Sequence, residues 1–217
     1  MNKIFQIGFN KCGTLSLHKL FAQFTEPKMQ SVHWDLAKLA LIMHDNLIQN
    51  KNLLGEYDTY KVFTDMETCI YNDIADSYDY YFMFKYFDLL DKQYPGSKFI
   101  LNTRSVDNWI SSRLNHTNGY KIINRKVVEL IPPELYYMTH LNMYKIQSIP
   151  ALVNIWRAEW NDHHNKVKQY FKNRPKDLLI FDIENDSFEK IVEFFKYENI
   201  RFTTNSLPLV NKTQVTA

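Results

Sequence analysis

Hydrophobic and polar positions change period repeatedly along the chain, and each change marks an expected element. Lys3–Ile7 is a short apolar run that ends at Gly8, which predicts a buried strand running into a loop. Leu17, Leu20, Phe21 and Phe24 then recur at i, i+3, i+4 and i+7, the stripe of an amphipathic helix. A second helix is expected over Leu36, Leu39, Ala40, Met43 and Leu47, with Asp35 as its N-cap. Tyr60–Thr64 reads as a strand, with Asp65 just past its end. Tyr80, Phe84, Phe87 and Tyr94 share a helical face, so 80–94 is expected to be helical up to the Pro95-Gly96 stop. Lys98–Thr103 is a further strand. Ser105 can cap a helix from Val106 to about His116, with Asp107 in its first turn. Residues 119–149 are less regular and contain Pro132-Pro133, which suggests one or two short helices. Pro150 suits the first turn of a long helix. Leu152, Trp156, Glu159, His163, Val167 and Tyr170 line one side of it, and Pro175 follows its end. Leu178–Ile183 is a strand. Asp186 and Glu189 form a capping box before Phe188, Ile191, Val192 and Phe195. No period follows Asn205.

Four expected strands alternate with helices, without repeat or linker. That order predicts one α/β domain over 1–217, a three-layer sandwich with a central parallel sheet covered on both faces. Ligands of such sheets bind beyond the carboxyl ends of the strands.

Charge adds one constraint. The 26 basic and 24 acidic residues nearly cancel, leaving a net charge of +2. This argues against non-specific nucleic-acid or membrane binding, so any anion site must be local. Cys12 and Cys69 belong to no CxxC or Cys/His cluster, which argues against structural zinc and a disulfide framework and fits a reducing compartment. The paired His163-His164 lie mid-helix without a third ligand. The N-terminus lacks a signal-like apolar stretch, and no segment approaches the ~18 apolar residues of a spanning helix. A soluble, cytoplasmic protein without membrane insertion is expected.

The candidate chemistry starts at Gly8-Phe9-Asn10-Lys11-Cys12-Gly13-Thr14-Leu15-Ser16, which follows a strand and opens a helix. Free N–H groups and the helix dipole attract anionic oxygens at such a point. Gly13 permits close backbone approach, and Thr14 and Ser16 can add hydroxyl donors. The Gly8-to-Gly13 spacing matches a Walker A loop, but Thr14 and Leu15 stand where Lys and Ser/Thr belong. Leu15 therefore offers no hydroxyl for a nucleotide-bound Mg²⁺, and the loop's lysine is Lys11. Cys12 reads as a small loop residue, because a Cys-x₅-Arg phosphatase loop would place Arg where His18 stands.

Lys11-Cys12-Gly13-Thr14 resembles the phosphosulfate loop of the sulfotransferase family, typically Lys-x-Gly-Thr followed by Thr or Ser. Leu15 departs from that pattern. The lead-in Tyr94-Pro95-Gly96-Ser97-Lys98-Phe99-Ile100-Leu101, then Arg104 and Ser112 on a strand and the following helix, resembles the family's 3′-phosphate motif. Leu207-Pro208-Leu209-Val210-Asn211-Lys212-Thr213 is similar to a C-terminal Pro-x-x-Asn segment of some members, with Lys212 near a phosphate. The resemblance implies a P-loop NTPase-like fold. It implies 3′-phosphoadenosine 5′-phosphosulfate (PAPS) as co-substrate without a metal. Residues Lys11, Cys12, Gly13, Thr14, Leu15 and Ser16 would hold the 5′ end, with Lys11 reaching the oxygen between phosphorus and sulfur. Arg104, Ser112 and Lys212 would hold the 3′ end.

Sulfuryl transfer needs an in-line acceptor, charge stabilisation on the leaving phosphate and a base for the acceptor proton. Related enzymes use a His or a carboxylate as that base. The candidates are Asp65, then Glu67, then His33 in Ser31-Val32-His33-Trp34-Asp35. The alternative to Arg104 as a phosphate ligand is a pair with a nearby carboxylate such as Asp107. The expected partner is a small-molecule or carbohydrate acceptor offering a hydroxyl or amine, in a pocket shaped by residues of about 114–150. Two other functions fit the loop: a divergent P-loop nucleotide kinase, and a nucleotide-binding module that lacks activity.

Overall fold

The structure is a computed structural model that describes residues 2–72, 77–116, 119–123, 126–131 and 133–208. Its strands are β1 (Ile4–Gln6), β2 (Thr25–Glu26), β3 (Ser31–His33), β4 (Val62–Thr64), β5 (Glu67–Asn72), β6 (Ser77–Phe82), β7 (Lys98–Thr103), β8 (Gly119–Ile123), β9 (Lys126–Ile131), β10 (Leu178–Asp182) and β11 (Arg201–Phe202). Its helices are α1 (Thr14–Gln23), α2 (Lys38–Ile48), α3 (Phe87–Gln93), α4 (Val106–Leu114), α5 (Pro133–Met143), α6 (Ile149–Phe171) and α7 (Glu189–Phe195).

Five strands form one parallel sheet in the order β10-β7-β1-β4-β3. Residues alternate between its faces, as a period of two requires. Phe5, Phe63, Phe99 and Leu101 pack with Leu39 and Met43 of α2, Leu90 of α3, Trp109 of α4 and Val167 and Phe171 of α6. Ile4, Val62, Ile100, Leu179 and Phe181 pack with Leu17, Leu20 and Phe21 of α1 and Ile191 and Phe195 of α7. The result is the expected α/β three-layer sandwich. From β1 the chain runs to the edge strand β3 and returns to β4 between them, then crosses to β7 and β10 on the other side. The sheet order therefore switches direction beside β1, the place in such sheets where ligands bind beyond the carboxyl ends of the strands.

Several elements differ from the expectations. β3 is a fifth parallel strand, which three residues with one buried apolar side chain, Val32, could not signal by period. The expected helix over 80–94 starts later, as a 3-10 turn over Met83–Tyr86 that leads into α3. Residues 77–82 instead pair antiparallel with β5, in the register Thr68↔Tyr81 and Cys69↔Tyr80. Aromatic residues suit a half-buried pleated surface, and here that preference overrides the helical spacing. Gly119–Ile123 and Lys126–Ile131 pair as antiparallel strands ahead of α5, where the sequence suggests only short helices.

Caps divide similarly. Ser105 Oγ accepts from Asn108 N at 3.1 Å, as expected. Asp35 does not cap α2, which starts at Lys38 after a run of positive φ from Trp34 to Ala37. Its carboxylate accepts instead from the Tyr57 hydroxyl. Asp186 and Glu189 form no capping box. The Asp186 carboxylate accepts from Asp182 N at 2.7 Å and from Lys190 Nζ at 2.7 Å, so it closes a turn after β10. His163 and His164 of α6 are core residues. His163 Nε2 lies 2.6 Å from the Ile7 carbonyl and His164 Nε2 3.1 Å from Thr103 Oγ1, tying α6 to the ends of β1 and β7. Burial lowers both imidazoles to about 4, so both stay neutral.

Candidate active site

The loop after β1 is held by one buried amide. Asn102, fully buried on β7, accepts from Gly8 N at 3.1 Å through Oδ1. Its Nδ2 donates to the Cys12 carbonyl at 2.8 Å and to the Phe9 carbonyl at 3.4 Å. A Cβ built at Gly8 would stand 2.1 Å from the Asn102 carbonyl oxygen, so only glycine fits. Gln6 extends the brace, accepting from Asp65 N at 2.8 Å, so the ends of β1, β4 and β7 are tied together.

Within the loop, Lys11 and Gly13 both adopt positive φ, 63° and 78°. For a lysine this costs about 1–3 kcal/mol and marks a conformation imposed by its surroundings. Gly13 is the N-cap of α1 and supplies no side-chain hydrogen bond, and the first turn has no acidic residue. The N–H groups of Thr14, Leu15 and Ser16 thus stand at a helix N-terminus suited to an anion. Thr14 and Ser16 are buried and Leu15 is half-buried. Cys12 is fully buried, and burial pushes its thiol far up, so it is no nucleophile.

The Lys11 ammonium lies 3.2 Å from His116 Nδ1. Burial, with Lys11 and Arg113 nearby, lowers His116 to about 3, so the neutral imidazole accepts from the lysine. Burial also lowers the Lys11 pKa, an effect Asp65 opposes and Arg104 and Arg113 reinforce. Asp65 follows β4 with φ 56°, and its Oδ2 lies 3.7 Å from His33 Nε2 at the end of β3. His33 Nδ1 lies 3.0 Å from Thr64 Oγ1. Burial raises the Asp65 carboxyl well above the usual range, against the pull of Lys11 and Arg113. Its side chain nevertheless keeps 19% exposure, so solvent reaches it. Burial, then His18, lowers His33 to about 4.

Arg104 follows β7 and reaches back to the loop, its Nη1 donating to the Lys11 carbonyl at 3.2 Å. Its carboxylate partner is Glu184, beyond β10, with Nε donating to Glu184 Oε1 at 2.9 Å. Asp107 pairs instead with Arg157. Ser112 lies half-buried on α4, and among the described residues it takes no part in the hydrogen bonds that hold the loop. Lys212 lies outside the described residues.

Glu67 opens β5 at 3% exposure, and neither carboxylate oxygen has a hydrogen-bond partner. Burial raises its carboxyl strongly, although Arg113 opposes this. The unfolded chain releases this proton near the ordinary value of 4.5, and the folded chain only at higher pH. Folding stability therefore falls as pH rises across that interval. Glu67→Gln should remove this fall and make the protein about 1–3 kcal/mol more stable than wild type at pH ~8, with little difference near pH ~4. Urea denaturation at the two pH values checks it, and parallel pH profiles for the two proteins would contradict it.

Asn102, His116, Arg113 and Glu184 join the site without belonging to any sequence motif. A polar residue inside the apolar strand Lys98–Thr103 was the available signal for Asn102. The other three are brought to the site only by tertiary packing. Among the described residues no group of three or more His, Cys, Asp and Glu side chains is placed to hold a metal ion. Likewise, no described helix is long and apolar enough to cross a membrane.

A central parallel sheet flanked by helices, with a strand–loop–helix turn beside its central strand, makes this a P-loop-like α/β fold. Residues 3–214 match the family model described as sulfotransferase domain, so the chain belongs to the sulfotransferase family. No curated protein matches the chain in sequence.

Proposed function

We propose that this sulfotransferase moves the sulfuryl group of PAPS to a hydroxyl or amine of a small-molecule or carbohydrate acceptor. The observation that carries the reading is the 3.2 Å contact between Arg104 Nη1 and the Lys11 carbonyl. It brings the Arg104 guanidinium, just beyond β7, onto the backbone of the loop that carries Lys11, just beyond β1, so that both basic residues stand at the same end of the sheet, as binding of one doubly phosphorylated nucleoside requires. In this reading the first turn of α1, from Gly13 to Ser16, holds the 5′-phosphate. Arg104 holds the 3′-phosphate, with Ser112 and Lys212 as further ligands.

Lys11 stabilises the charge that develops on the bridging oxygen as its bond to sulfur breaks. The new bond joins sulfur to the acceptor oxygen or nitrogen, and the acceptor's proton passes to Asp65. A raised pKa makes Asp65 a stronger base than a surface carboxylate. His33, neutral and 3.7 Å away, is a further candidate for the base. Glu67 lies two residues on, under cover, and tunes the charge around Asp65. Residues of about 114–150 shape the acceptor pocket. The free thiols of Cys12 and Cys69 support a cytoplasmic setting.

Chromatographic detection of adenosine 3′,5′-bisphosphate, released from PAPS in the presence of alcohol, phenol, amine and sugar acceptors, tests the reading. Release that depends on an acceptor and persists in EDTA is expected. Mg²⁺-dependent consumption of ATP with PAPS left intact would overturn it in favour of a kinase.

A further inference from the structure

The Arg104 guanidinium does not stand free. Glu184 Oε1 accepts from Arg104 Nε at 2.9 Å, from Nη2 of the same residue, and from Asn108 Nδ2 at 2.9 Å. Glu184 Oε2 accepts from Ser105 N at 2.9 Å. One carboxylate thus collects donors from the β7–α4 junction and from the first turn of α4. It is itself fixed from below, because Glu184 N donates to Asp182 Oδ1 at 2.9 Å and Ile183 N to the Thr103 carbonyl at 2.9 Å. Burial raises the Glu184 carboxyl, but the hydrogen bonds from Ser105, Arg104 and Asn108 outweigh this and hold it below the usual range. It is therefore a permanent anion at neutral pH.

A guanidinium has five N–H groups. Glu184 takes the Nε–H and one on Nη2, and the Lys11 carbonyl takes one on Nη1. One N–H remains on each terminal nitrogen, which is the pair needed for a bidentate phosphate contact. The side chain is 22% exposed, so it is not sealed off by its partners. Arginine loses much rotamer freedom when it is ordered, and a fork already locked spends none of that on binding.

From this we infer that Glu184 is a positioning residue for the 3′-phosphate: it holds Arg104 against the lysine loop with its terminal N–H groups left for the ligand. The inference rests on the assignment of Arg104 to the 3′-phosphate. It gives Glu184 a role in choosing between nucleotides that carry that phosphate and those that lack it.

Calorimetry with adenosine 3′,5′-bisphosphate and with AMP, which lacks the 3′-phosphate, reads that choice as a ratio of affinities. Arg104→Ala should collapse the ratio. Glu184→Gln, which keeps the shape and loses the charge, should lower it about tenfold, the size expected for one misplaced charge-assisted hydrogen bond. AMP affinity should stay at the wild-type value, which shows the fold and the 5′ site to be intact. A ratio unchanged in Glu184→Gln would reduce Glu184 to a structural partner and overturn the inference. Tighter bisphosphate binding in Glu184→Gln would also overturn it, by identifying the carboxylate as a competitor for the phosphate's place. A wild-type protein that does not distinguish the two nucleotides would instead remove the Arg104 assignment beneath it.

Discussion

Lys11→Ala is expected to lower the rate of sulfuryl transfer about 10²–10³-fold, the usual effect of removing one preorganised stabiliser of developing charge. The loop itself should survive the change. Its backbone is braced by Asn102 and Gln6, and Arg104 donates to the backbone carbonyl of residue 11, which alanine keeps. The positive φ of Lys11 is tolerated no worse by alanine than by lysine, so melting temperature should change little. Nucleotide affinity should fall less than the rate, because the first turn of α1 and Arg104 remain. A single-turnover measurement of bisphosphate release, beside thermal unfolding of both proteins, checks the split. Equal losses in affinity and rate would assign Lys11 to ground-state binding alone.

Asp65→Asn is expected to lower the rate about 10²–10⁴-fold, the range for loss of a general base. Asparagine accepts positive φ as readily as aspartate, so the backbone at φ 56° is undisturbed and the variant isolates the charge. The pH profile gives a second readout. Asp65 must be ionised to accept a proton, and its pKa is raised by burial. Wild-type rate should therefore rise with pH through a limb displaced from the ordinary carboxylate value of ~4 toward neutrality. Asp65→Asn should lack that limb. Persistence of the same limb in the variant would transfer the role to another group, with Glu67 the nearest raised carboxyl in sequence.

The layers of the fold were legible because its long elements carry clear periods. Leu17, Leu20 and Phe21 announce α1, and Leu152, Trp156, His163 and Val167 announce α6. The turn from β1 into α1 was legible because glycines, a lysine and hydroxyls are contiguous between a strand and a helix. The hairpins were not. The aromatic residues of 77–94 satisfy a helical face and a pleated one equally well, and only pairing with β5 decides between them. The two capping readings at Asp35 and Asp186 failed for a related reason. Each carboxylate found a stronger partner in space, Tyr57 in one case and Asp182 N with Lys190 in the other. Arg104 was visible at the end of its strand, but its partner was not. Asp107 is close in sequence, whereas Glu184 arrives from β10, the neighbouring strand.

Titration of the wild-type chain with adenosine 3′,5′-bisphosphate in EDTA tests most directly whether the lysine loop and Arg104 grip one nucleotide. One site per chain is expected, with ATP bound far more weakly and with both Lys11→Ala and Arg104→Ala reducing affinity. Absence of binding, or a preference for ATP that appears only with Mg²⁺, would contradict it.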